Sequence, residues 1–134
     1  MPAAQAQKEF YVNEAHALTD ALLHPVVLGS ISAPPANAAN GDCWIVGAAA
    51  TGAFVGHENE LASLQEGQWL YSVPGKGMTV YDIGLGKRRF FNGSWEIATE
   101  VNAPLAGSVI DLEARASILQ IIEALRAAGV LANY

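Results

Sequence analysis

Cysteine is nearly absent: Cys43 is the only one in 134 residues. That excludes an intrachain disulfide framework and a zinc site of the Cys-x-x-Cys kind. Charge is scarce as well. Only 15% of residues are charged, and seven Lys and Arg face thirteen Asp and Glu, for a net charge of −6. A nucleic-acid binder displaces phosphate counterions with Lys and Arg, so this balance argues against nucleic acid as a partner. The one cationic cluster is Lys87-Arg88-Arg89. No run approaches the ~20 apolar residues of a membrane-spanning helix, so membrane insertion is not expected. The opening Met1-Pro2-Ala3-Ala4-Gln5 lacks the basic and apolar regions of a signal peptide, so a cytoplasmically made product is expected.

What is plentiful is apolar surface. Hydrophobic residues make up 51% of the chain and the mean hydropathy is +0.23. That excludes global disorder and suits one compact domain. A lone monomer usually carries more surface charge, so part of this surface is expected to be covered by partners.

The patterning predicts an α+β fold: an N-terminal helix, a small antiparallel β-meander or barrel-like middle domain of short hairpins, and a C-terminal helix. Residues 1–27 form an arm and helix available for attachment or oligomerisation. Tyr11, Ala15, Leu18 and Leu22 share one helical face, Asn13 is the expected N-cap, and Pro25 ends the helix. Residues 28–40 read as a Pro/Ala/Asn linker. Residues 41–101 form the β domain, with strands expected at Asp42–Val46, Gln68–Val73, Thr79–Asp82, Arg88–Phe91 and Trp95–Thr99. Asn92-Gly93 predicts a type I′ hairpin. Residues 102–134 comprise a linker and a helix from Asp111 to about Ala128, closed by Gly129, with an apolar tail that docks. Gly41, Gly67 and Gly93 recur every 26 residues, each closely followed by Trp44, Trp69 or Trp95, which suggests stacked β units.

Motifs for catalysis are missing. There is no Gly-x-Ser-x-Gly elbow, and Gly84-Leu85-Gly86-Lys87 lacks the spacing of a phosphate-binding loop. His57-Glu58-Asn59-Glu60 could supply metal ligands or act in a small hydrolase. No second His lies near it, and a solvated polar loop is the better account. Cys43 could pair with His57 as a nucleophile, but beside Trp44 in a strand it reads as a small buried hydrophobe. No catalytic, cofactor or metal residue is therefore expected. Trp69, Tyr71, Tyr81 and Trp95 could form a glycan-binding platform, with the core as the competing role for such rings. Ile118, Ile121, Ile122 and Leu125, with Leu18 and Leu22, form the expected oligomer interface. Isoleucine at both seam positions leans towards a trimer.

Several stretches together resemble one family. Val12-Asn13-Glu14-Ala15, Gly41-Asp42-Cys43-Trp44-Ile45-Val46, Ala50-Thr51-Gly52-Ala53-Phe54-Val55-Gly56-His57 and Asn92-Gly93-Ser94-Trp95 are similar to a domain of unknown function from alphaproteobacterial phages, prophages and gene-transfer agents. The segment Val109–Ala116 and Leu125–Val130 resemble the terminal helix of such proteins. The resemblance implies a virion surface component associated with tail fibres or head spikes, with other virion structural proteins as partners and no catalytic residues.

Overall fold

The computed structural model describes residues 3–99, 101, 103, 111–127 and 130–131, with side chains from Lys8 onward. Helix α1 spans Ala3–Leu23. It begins well before Asn13, which sits in mid-helix instead of capping it. The Ala, Gln, Lys and Glu residues of positions 3–9 are strong helix formers and outweigh the cap signal. Pro25 does end the helix, and its carbonyl accepts the Tyr81 amide at 3.0 Å.

Eight strands follow: β1 (Val26–Val27), β2 (Ser30–Ile31), β3 (Cys43–Val46), β4 (Leu61–Gln65), β5 (Gln68–Ser72), β6 (Thr79–Asp82), β7 (Lys87–Phe91) and β8 (Trp95–Ile97). They form two four-stranded sheets, ordered β2-β3-β4-β5 and β1-β6-β7-β8. The α+β class stands, but the single meander expected is in fact two. Each is a three-stranded antiparallel meander with one short parallel strand on its edge.

Both parallel strands come from one strap, residues 25–31. On one side the amides of Tyr81 and Ile83 bond the carbonyls of Pro25 and Val27. On the other, Leu28 donates to Cys43, and Ile45 and Gly47 donate to Gly29 and Ile31. The segment 28–40 thus contributes β2, and the strap holds the two meanders together.

The turns explain the glycine pattern. Gly41, Gly67 and Gly93 all take positive φ, and each precedes a strand. Their 26-residue spacing does not divide the fold equally, however, because the repeated unit is the meander. Glu66-Gly67, with φ of 48° and 78°, forms the two-residue turn between paired Gln65 and Gln68. Asn92-Gly93 does not form such a turn. Phe91 pairs with Trp95, so three residues connect those strands.

The cores follow from strand alternation. Val27, Ile45, Leu61 and Val80 pack between the two sheets, with Cys43, Met78 and Trp95 against them. On the back of the first sheet, Val46, Phe54 and Ala62 pack with Ile31, Ala50, Trp69 and Tyr71. The loop between β3 and β4, with its 3-10 turn Gly52–Phe54, lays Phe54 over that face. Asp82 is fully buried beside the first core and accepts from Arg89 Nε at 2.7 Å and the Leu85 amide at 3.0 Å.

Helix α2 spans Leu112–Ala127. Asp111 caps it as expected, its Oδ1 accepting the Ala114 amide at 2.9 Å. At the other end the Val130 amide bonds the Leu125 carbonyl at 2.9 Å. Gly129, Ala128 and the end of the tail, residues 132–134, lie outside the described residues, as does most of the 102–110 linker.

Candidate functional site

Two kinds of surface stand out: the faces the helices leave uncovered and the outer face of the second sheet. On α1 the residues turned towards the rest of the chain are Glu14, Ala17, Leu18 and Ala21, all half-buried. A cleft there is lined by Phe10, Asn13, Glu14 and Ala17 of α1 and by Gln65, Glu66, Gln68 and Leu70 of the β4–β5 hairpin. The apolar stripe lies off to one side. Tyr11 is 67% exposed, and Ala15 and Leu22 are exposed too; only Leu18 of the four is partly covered.

Helix α2 repeats this arrangement. Ile122 is buried at 3% exposure, with Arg115 and Arg126 half-buried on the same side. The residues spaced by four, three and four, Ala114, Ile118, Ile121 and Leu125, form a stripe rotated away from it. Ala114 and Ile118 are exposed, Ile121 is 59% exposed and Leu125 is half-buried. Of the six residues expected at an oligomer interface, Ile122 is therefore occupied within the chain. Leu18 and Leu125 are shared, and Leu22, Ile118 and Ile121 are free.

The four expected platform rings do not share a surface. Trp69 packs edge-on against Phe54 and Trp44, with ring centres 5.0 and 5.8 Å apart. Tyr71 donates its hydroxyl to the Ala53 carbonyl and stacks flat on His57, 3.5 Å away. Trp95 sits against the inter-sheet core, tilted on Phe91, and its Nε1 donates to the Asn59 carbonyl at 2.8 Å. These three rings are structural: they bind the long loop and both sheets together. Tyr81 alone is displayed.

Its neighbours are set by register. Along β6 and β7, Val80, Asp82 and Phe91 are buried and Arg89 is half-buried, while Thr79, Tyr81, Arg88 and Phe90 alternate outward. Tyr81 pairs with Val26 and Arg88, and Phe90 pairs with both Thr79 and Glu96. Phe90 was not among the four rings expected on the platform. The alternation within Lys87-Arg88-Arg89-Phe90-Phe91 carried the information that it faces outward, since neighbours in a strand face opposite sides.

The polar residues considered for chemistry are separated. Cys43 lies between the sheets, whereas His57 stacks on the back of the first sheet, so they form no nucleophilic pair. His57 Nδ1 instead meets Glu60 Oε2 at 2.8 Å. Among the described residues no group of three or more His, Cys, Asp and Glu could hold a metal ion. None of the described helices is long and apolar enough to cross a membrane.

Burial pushes the Cys43 thiol above its ordinary pKa, partly opposed by a hydrogen bond with Ser63. Burial and then the nearby Glu60 carboxylate push the Tyr71 phenol up as well. Both groups favour the folded state while neutral, so their contribution is complete below the unfolded-state pKa values and is lost as pH rises. The melting temperature is expected to be flat near neutrality and to fall from about pH 8.5 upward, the unfolded thiol's range. In calorimetry, Cys43→Ala should remove the first part of that fall and leave the part near pH 10. An unchanged profile in the variant would contradict the buried thiol.

A family model described as Protein of unknown function (DUF2793) matches residues 12–96, well over half of the chain. No curated protein and no solved structure matches it.

Proposed function

The chain belongs to the DUF2793 family, and on that premise we propose that it is a structural component of a tailed-phage or gene-transfer-agent particle, displayed on the surface as a homo-oligomer. The single observation that carries the assembly is that both helices leave most of an apolar stripe exposed on their own chain: Tyr11 and Leu22 on α1, Ile118 and Ile121 on α2. Most helical stability in a folded protein comes from burying an apolar face, not from intrinsic propensity. Another copy offers the same stripes and so can cover them. Isoleucine at both seam positions of α2 favours three strands. The particle itself, as a fibre, spike or adaptor, rests on the resemblance of the motifs quoted above; other virion proteins are the partners, and the virion is the location.

Analytical ultracentrifugation of the purified chain is expected to show a trimer at micromolar concentration. Ile121→Asp should yield a folded monomer, because Ile121 faces outward within one copy while a charge in the seam would be buried unpaired. A wild-type monomer under these conditions would overturn the assembly.

A second function, attachment to host surface glycans, is favoured by the outer face of the second sheet, where Tyr81 and Phe90 are exposed among polar groups. It is compatible with the first.

A further inference from the structure

We propose that the outer face of the β1-β6-β7-β8 sheet holds a subsite for one carboxylated pyranose of an acidic polysaccharide, with Phe90 as its floor and Arg88 as the carboxylate's partner. This inference rests on the glycan reading and names the sugar class for that face. Phe90 is 46% exposed at the centre of the sheet surface. Its cross-strand neighbours are Thr79 on one side and Glu96 on the other, and Arg88 lies two residues back along β7 on the same face. Direct cross-strand neighbours on an antiparallel pair stand about 5 Å apart, and residues two apart on one strand about 7 Å. A sugar ring stacked on Phe90 is thus ringed by a hydroxyl, a carboxylate and a guanidinium at its perimeter. Tyr81, directly across from Arg88, extends the stacking surface to a second ring. These residues, except Tyr81, line a groove with Ile97, Ala98 and Val130.

Charge selects the ligand class. Arg89, on the opposite face, is committed to Asp82. Arg88 makes no ion pair among the described residues. An exposed guanidinium beside two aromatic rings, in a chain of net charge −6, presents a local positive site that a carboxylate fits bidentately. Glu96 restricts the site further. It accepts hydroxyl hydrogens but repels a second anionic group, so a ring with one carboxylate and free hydroxyls fits better than a heavily sulfated one.

Affinity electrophoresis of the full chain through gels containing alginate, neutral dextran or dextran sulfate tests this. Retardation by alginate alone is expected. Arg88→Gln should weaken it on the order of tenfold, the cost of one charge-assisted pair. Phe90→Ala should abolish it while the melting temperature holds, since the ring is half exposed; Phe90→Tyr should retain it. Equal retardation by dextran sulfate, or alginate binding that survives both Arg88→Gln and Phe90→Ala, would overturn the subsite. Retardation by dextran that ignores Arg88 would overturn the acidic class and leave glycan attachment standing. No retardation by any of the three, nor by a wider panel of host polysaccharides, would overturn glycan attachment and the subsite with it.

Discussion

Asp82→Ala is expected to cost about 3–5 kcal/mol of folding free energy, measured by urea unfolding. The carboxylate is wholly buried and satisfies two partners, the Arg89 guanidinium and the Leu85 amide. Truncation strands both. Arg89 keeps its charge at 14% side-chain exposure with no counter-ion, and the Leu85 amide loses its acceptor. Total stability of a domain is typically ~5–15 kcal/mol, so the variant sits near the threshold of folding. Asp82 also lies where β1 joins β6, opposite Val27, so the strap loses its seat at the same time. The double variant Asp82→Ala, Arg89→Met should recover much of the loss, because a pair replaced by apolar groups leaves no orphaned charge. A loss below about 1 kcal/mol in the single variant would show that the pair contributes little.

Trp95→Ala is the second large effect, about 3–5 kcal/mol by the usual cost of removing a core aromatic. The indole fills space against Val27, Ile45, Leu61 and Val80 and touches Phe91, with ring centres 5.1 Å apart. Its Nε1 also reaches from the second sheet to the Asn59 carbonyl in the loop over the first. Trp95→Phe separates the two roles. It keeps most of the packing and loses the hydrogen bond, an expected cost of about 1 kcal/mol. If Trp95→Ala abolished glycan binding at an unchanged melting temperature, the ring would be a contact residue and not a structural one.

Trp69, Tyr71 and Trp95 are the most conspicuous candidates for a sugar platform, and each has a packing role that consumes its face. Tyr81, expected with them, instead shares an open surface with Phe90 and Arg88, which stood outside that expectation. On the helices the stripes expected to meet other copies, Tyr11, Ala15, Leu18 and Leu22 on α1 and Ala114, Ile118, Ile121 and Leu125 on α2, are largely left outside, while Ile122, expected with them, packs within the chain.

Much of the fold was nevertheless legible. Gln68–Ser72, Thr79–Asp82 and Lys87–Phe91 fall where alternation and turn glycines place strands, because those signals are local. The cap at Asp111 is local too. Strand β4 escaped notice for a physical reason. Leu61, Ala62 and Ser63 are all buried, since one face meets the inter-sheet core and the other meets Phe54, so no alternation marks them. Strands β1 and β2 are two residues each, too short for any period, and exist only because β6 and β3 offer edges to pair with.

Composition and short-range pattern were enough to settle the α+β class, most strand positions and the excess of apolar surface, because each depends on neighbours within a few residues. Which ring is core and which is displayed, and which helical face packs inward, was decided only by the assembled fold. Those outcomes turn on contacts between segments distant in the chain, here the strap that joins two meanders and the loop that caps one of them. No local periodicity encodes such contacts.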